Sequence, residues 1–330
     1  MNSLARVAAS REGSLTRFAA EQASFNARLV DAARTTPAPG AIPSEVIRRN
    51  RREGRGGFSK PELHPGGATI EGPVGANGRP LRARRHGVGE KPTAVYLHVH
   101  GGGWTFGAPE EHDLHLAALS RATDCEVVSG EYRLAPEHVY PAARVDVQAW
   151  LEWALDHAAS EYGCGLVIGG ESAGAHLALC AVLEYGGHLA QEAGLIGMNL
   201  SFGFFDLGLS PSAASWGSEA LVLSTPWLEH FVSQLLPGVD KSALREPAYS
   251  PLYADLSGLP PALLTVGTAD PLLDDSLLLA SALSDAGVEC DSLVYPGAPH
   301  GFIGMPTGLA RLANEHIHSW IRAVADRRGM

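Results

Sequence analysis

At 330 residues the chain is too long for a small stapled module and short for two independent domains; a chain of this size buries about three-quarters of its unfolded surface around one large core. Hydrophobic residues at 45% against 18% charged exclude a disordered chain, and no apolar run approaches the roughly 18 residues of a membrane span. A net charge of −11 argues against nucleic acid or an anionic membrane as the partner, and four scattered cysteines (Cys125, Cys164, Cys180, Cys290) form neither a CxxC metal pair nor a disulfide framework.

The N-terminal stretch alternates apolar residues with Arg, Glu and Ser and carries no signal-like hydrophobic region, so a cytoplasmic protein is expected. Residues 4–34 place Leu15, Phe18, Ala19, Phe25, Leu29 and Val30 at helical spacing, and the Pro37/Pro39/Gly40 cluster stops that helix. Arg48, Arg49, Arg51, Arg52 and Arg55 follow, and read as a solvated helix face or linker because the acidic whole opposes polyanion binding. From residue 67 the period changes to short β-like stretches at 69–74, 81–86 and 94–99. Helix 110–122, strand 125–129, helix 141–159, strand 165–169, helix 173–185 and strand 195–200 come next. Strand 262–267, helix 274–286, strand 289–295 and helix 307–327 close the chain. Such alternation predicts an α/β fold, with βαβ crossovers and a mostly parallel central sheet carrying helices on both faces. The irregular stretch 202–258, with Trp216, Trp227, Phe231, Leu235 and Leu236 on short helices, is placed to form a helical cap over the sheet's C-terminal edge, where ligands bind in such sheets.

The strongest local signal is Gly170-Glu171-Ser172-Ala173-Gly174, between the apolar strand 166–168 and the helical run 173–185. A strand-to-helix turn this sharp strains the serine backbone and stands its hydroxyl clear at the head of a helix, with small residues around it for room. His100-Gly101-Gly102-Gly103-Trp104 directly follows the strand 94–99, and consecutive glycines let backbone N–H groups turn toward a developing oxyanion. A serine needs a base, and the base needs an orienting partner. His300, in Pro299-His300-Gly301-Phe302 after the strand 290–295, is the candidate base; Asp270, in Gly267-Thr268-Ala269-Asp270-Pro271 after the strand 262–266, is the candidate orienter. All three sit on loops at one sheet edge, in the chain order Ser, Asp, His.

Together with Tyr132-Arg133-Leu134-Ala135-Pro136-Glu137-His138, Ser250-Pro251-Leu252, Leu259-Pro260-Pro261 and Asp270-Pro271-Leu272, these motifs resemble the hormone-sensitive-lipase family of α/β-hydrolases from about residue 68 onward. The resemblance implies an α/β-hydrolase fold and a serine carboxylesterase acting on short- to medium-chain acyl esters. By the same resemblance, Ser172 is the nucleophile, His300 the base and Asp270 the orienter, with Gly102, Gly103 and the Ala173 amide as oxyanion donors. It also implies a two-part cap, from residues 1–60 and 202–245, on a core of 61–201 and 246–330. Three positions depart from the family's usual pattern: Glu171 where Asp is usual before the nucleophile, His176 where Asn is common, and Glu131 where Asp is usual. An arylformamidase-like amide hydrolase, with a similar Ser-Ala-Gly-Ala-His elbow, is the alternative enzyme. A receptor on the same fold is disfavoured because His300 keeps its full setting.

The small-molecule ester is the expected partner, a homodimer through an exposed sheet edge is an expectation of the fold, and no cofactor is required. His98 and His100 share a strand face, but no acidic or cysteine partner has metal spacing near them in sequence, so no metal site is expected. His112 and His115 read as solvated or capping, and Asp274 and Asp275 as complements of a helix N-terminus. Arg133 is expected in a buried ion pair, and Trp216, Trp227 and Phe231 in cap packing more than in a pocket wall.

Overall fold

A computed structural model describes residues 18–327 apart from 36, 77, 88, 219 and 220. The start of the first predicted helix, with Leu15, lies outside the described residues. The N-terminal part contains α1 (Ala19–Ala33) and α2 (Ser44–Glu53). The core then runs β1 (Ala68–Val74), β2 (Pro80–His86), β3 (Ala94–Val99), α3 (Asp113–Thr123), β4 (Glu126–Gly130), α4 (Ala142–His157), β5 (Gly165–Glu171), α5 (Ala173–Tyr185), α6 (Gly187–Glu192) and β6 (Leu195–Ser201). After α7 (Pro211–Ser215) and α8 (Thr225–Leu235) it resumes with β7 (Ala262–Ala269), α9 (Leu273–Asp285), β8 (Cys290–Pro299) and α10 (Gly308–Asp326).

The eight strands form one sheet in the order β1-β2-β4-β3-β5-β6-β7-β8. β1 and β2 are antiparallel at one edge, and every pairing from β4 to β8 is parallel. Every residue of β3 and β4 is buried, as a parallel sheet covered on both faces requires. Alternation along β3 divides the core in two. Val95, Leu97 and Val99 join the cluster built with Trp150 of α4, Leu177 of α5 and Leu279 of α9, whereas Ala94 and Tyr96 join Leu116 of α3 and Ile317 of α10 on the other face. β5 follows the same rule, with Leu166 and Ile168 on the first face and Val167 on the second.

Local charges fix the elements that approach the sheet's C-terminal edge. Asp113, buried at the start of α3, accepts both guanidinium nitrogens of Arg84 at 2.6 and 3.0 Å and the His64 amide at 2.6 Å. Arg133 meets Asp146 at 2.8 and 2.9 Å, the expected buried pair. The arginine run on α2 is only partly solvated. Arg48 donates to the carbonyls of Thr105 (2.8 Å) and Ala135 (3.2 Å), and Arg51 pairs with Glu111, so half of the run ties α2 to the core while Arg49 and Arg52 face solvent. Among the described residues no helix is long and apolar enough to cross a membrane.

Candidate active site

Ser172 stands between β5 and α5, with φ 56° and ψ −121°. A non-glycine residue there carries about 1–3 kcal/mol of strain, so the surroundings must over-determine it. Its amide donates to Ser201 O of β6 at 3.0 Å. Gly174 permits the tight approach behind it, since a Cβ there would lie 2.0 Å from the Val99 carbonyl oxygen.

His300 follows β8, and its Nε2 lies 3.0 Å from Ser172 Oγ. Its Nδ1 lies 2.9 Å from Oδ2 of Asp270, which follows β7 and is fully buried. A carboxylate only accepts, so the ring proton sits on Nδ1 and Nε2 is left to accept from the serine hydroxyl. Asp270 Oδ1 is held by the Leu272 amide at 2.9 Å, and Phe202 packs edge-on against the His300 ring at 5.0 Å. The structure thus brings together the three residues singled out in the sequence.

The glycine loop after β3 stands over this row. Gly102 O accepts from Thr105 and Phe106 amides, closing a turn, and the Gly102 and Gly103 amides donate to no backbone carbonyl among the described residues. Ala173 is the first residue of α5, where a helix leaves its N–H unpaired. Tyr132 donates its hydroxyl to His100 O at 2.8 Å, and the His100 ring stacks on Tyr132 at 4.2 Å while its Nδ1 bonds Gly101 O at 2.9 Å. Burial holds the His100 imidazole down near about 4, so it is a neutral brace for the loop.

Residues 96–304 match the sequence profile of the alpha/beta hydrolase fold family. The chain is an α/β-hydrolase of the hormone-sensitive-lipase family. It is 33% identical over 269 residues to the carboxylesterase NlhH of Mycobacterium tuberculosis, covering 78% of this chain and 82% of that protein. An arylesterase of Saccharolobus solfataricus is 31% identical over 216 residues, 64% of this chain and 69% of that one. Among solved structures, a hyperthermophilic esterase from the archaeon Pyrobaculum calidifontis superposes with a TM-score of 0.80 at 28% identity, covering 92% of this chain and 98% of that one. A hormone-sensitive lipase from a metagenome library superposes at 0.77, with 28% identity over 92% and 98%.

In this α/β-hydrolase a cavity of about 1130 Å³ opens onto Ser172 and His300. Its walls come from the glycine loop, from α2 and from α8. Trp227 and Phe231 pack against the core and also form part of that wall, and Phe106 meets both rings edge-on at 6.5 and 5.7 Å. Trp216 is not part of the lining.

Three other expectations change. His112 and His115 line the cavity instead of facing solvent, His112 makes no side-chain cap bond, and burial lowers both imidazoles, His112 to about 3. Asp275 lies in the first turn of α9 as expected, but more than the helix end holds its carboxyl. It is fully buried, its Oδ1 accepts the amides of Phe205 (2.7 Å) and Asp206 (2.9 Å), its Oδ2 accepts the Ser210 hydroxyl (2.5 Å), and burial raises it to about 7. Asp274 accepts the Ser212 amide at 2.8 Å, so both acids clasp the segment after β6 to α9.

Finally, His98 does have an acidic neighbour. Its Nε2 lies 2.8 Å from Glu171 Oε2, its Nδ1 2.8 Å from Ser129 Oγ, and its ring 5.0 Å from that of His112. Burial opposes ionisation of Glu171, but the adjacent histidines outweigh it and hold the carboxyl down at about 2. The signal was parity: His98 faces Gly169 across the β3–β5 register, and Glu171 lies two residues on, on the same sheet face. His176, another departure, bonds Tyr249 O at 2.8 Å, and burial lowers its imidazole to about 4.

Proposed function

We propose that this chain hydrolyses short- to medium-chain acyl esters through a Ser172–His300–Asp270 triad and an acyl-enzyme. The chain is a carboxylic ester hydrolase of its family; the catalytic roles, the acyl range and the cap are the reading proposed. Its main support is the unbroken hydrogen-bonded row from Ser172 Oγ through His300 to Asp270, at 3.0 and 2.9 Å, facing one cavity.

Ser172 Oγ attacks the ester carbonyl as His300 Nε2 takes its proton, and Asp270 stabilises the resulting imidazolium. The carbonyl oxygen becomes an oxyanion received by the Gly102, Gly103 and Ala173 amides, whose dipoles are oriented before reaction. Collapse expels the alcohol, which takes the proton from His300, and leaves an acyl-Ser172 ester. Water then attacks that ester with His300 as base, releasing the acid and the free serine.

The described parts of residues 1–60 and 202–245 serve as the cap, with α2 and α8 walling the cavity. At about 1130 Å³ it lies just above the usual range of small-molecule sites, about 300–1,000 Å³, with room for an acyl chain of about two to eight carbons together with the alcohol part; the upper limit on chain length rests on the family resemblance. The test pairs a p-nitrophenyl ester series of rising chain length with a fluorophosphonate probe. Rates should peak among short chains, and the probe should add its mass to the Ser172 peptide. A rate rising through long-chain emulsions refutes the acyl range; equal labelling of Ser172→Ala refutes the nucleophile.

A further inference from the structure

His98, His112 and Glu171 place two imidazoles and a carboxylate beside Ser172, with ligand-capable atoms all within 4.8 Å of one another. We infer that this trio is a site for a divalent transition metal of the zinc type, and that the bound ion restrains the esterase. The binding half stands on the cluster alone; the restraint half rests on the Ser172 reading above.

The donor set selects the ion. Two imidazole nitrogens with one carboxylate oxygen suit zinc, leaving a fourth position open, whereas calcium and magnesium take oxygen donors. The geometry needs only small movements. A tetrahedral ion bonded to His98 Nε2 and Glu171 Oε2 at about 2.0–2.1 Å would hold them about 3.3 Å apart, an opening of about half an ångström from the present 2.8 Å. His112 must close the larger gap, and it is free to do so: ring contacts with His98 and His100 are its restraints, and no hydrogen bond holds it among the described residues.

Ser129 supplies the outer support that metal-binding histidines use on their second nitrogen. At present the His98 Nε2–H donates to the Glu171 carboxylate, so the Ser129 hydroxyl donates to Nδ1. When the ion takes Nε2, that same proton moves to Nδ1 and Ser129 Oγ accepts it. A hydroxyl can donate or accept, so Ser129 braces His98 in both arrangements.

Access and charge agree. Glu171 and His112 line the cavity, and its described charged side chains are three carboxylates (Glu62, Glu111, Glu171) against the Arg51 guanidinium, a field that draws cations in. Glu171 is bonded to Ser172 along the chain. A divalent charge there opposes the imidazolium that His300 must become when it takes the serine proton, and it occupies space in the substrate cavity.

Cobalt(II) reads the site directly. It should bind wild type at one equivalent with the visible absorption of a tetrahedral centre, and bind Ser172→Ala equally well. His112→Ala should lose that spectrum, and Ser129→Ala should weaken binding by about 10- to 100-fold. His112→Gln, with melting curves throughout, keeps the result readable if His112→Ala unfolds. Zinc should lower wild-type ester hydrolysis in step with occupancy, and EDTA should restore it. Absence of saturable cobalt binding, or the same binding in both His112 variants, overturns the site. Full occupancy with an unchanged rate overturns the restraint. If Ser172→Ala instead keeps esterase activity, the nucleophile assignment fails while the cobalt readout still decides the site.

Discussion

Asp270→Asn isolates the job of the buried carboxylate, because the structure dictates how an asparagine must sit. Oδ1 of Asp270 accepts from the Leu272 amide at 2.9 Å, and Oδ2 faces His300 Nδ1 at 2.9 Å. An asparagine keeps its carbonyl oxygen on the Leu272 N–H, since turning round would set two donors against each other. That leaves its NH2 facing His300. The imidazole then accepts at Nδ1 and carries its proton on Nε2, pointing at Ser172 Oγ 3.0 Å away, where a base is required. The wrong tautomer costs about 10⁴ in kcat, or about 5 kcal/mol of transition-state stabilisation. Size and the Leu272 bond are retained, so the melting temperature should stay near wild type. Asp274→Asn, whose side chain bonds the Ser212 amide at 2.8 Å away from this row, is the control and should keep its rate. Initial rates on a p-nitrophenyl ester with a parallel melting curve decide it. A near-wild-type kcat for Asp270→Asn would place the partner of His300 elsewhere.

Two further predictions concern residues whose setting the structure redefines. Asp275→Ala orphans three buried donors, from Phe205, Asp206 and Ser210, at about 1–3 kcal/mol each, so denaturant melts should register a loss upward of about 3 kcal/mol. Because burial raises Asp275 from its ordinary 3.8 to about 7, the folded state holds a proton that the unfolded state releases; its contribution is full below about pH 4 and is lost as pH rises through about 7. Asp275→Asn cannot titrate and should lack that decline, and an identical stability–pH slope would remove Asp275 as its source. Gly103 has φ 58°, and a Cβ there would lie 2.5 Å from the Phe231 ring, so Gly103→Ala must displace the loop or the ring. Loss of one oxyanion donor costs about 10²–10³ in kcat, and an unchanged kcat would show that the Gly103 amide is not one.

What could be read without coordinates follows a physical division. The strands and the longer helices of the core show in sequence because burial on both faces demands apolar runs such as 94–97, and amphipathic helices repeat at their own period, whereas the six-residue α6 is too short to show one. That Ser172, Asp270 and His300 share one edge is equally legible, since residues just past the strands of a parallel sheet lie at one edge and no side-chain register is needed to place them there. The burial of Asp275 is hidden from sequence for the opposite reason. Its place in the first turn of α9 is a sufficient local account, and only the return of residues 205–210 over that turn buries it.

The pairing of His98 with Glu171 falls between these cases. Neither residue completes a metal-ligand set along the chain, 73 positions separate them, and the bond depends on β3 and β5 lying side by side in one register. Shifting that register by one residue would flip the side chains of β5 and send Glu171 to the opposite face, that of Leu97 and Val99. Yet the same register is fixed by the elbow, because Gly174 must slide under the Val99 carbonyl for Ser172 to reach its strained turn. The constraint that sets Ser172 therefore also sets Glu171 beside it on the face of His98, and the start of α3, anchored by Asp113 on Arg84, brings His112 to the same point. A cluster that looks accidental in sequence is a geometric consequence of building the elbow on this strand pair.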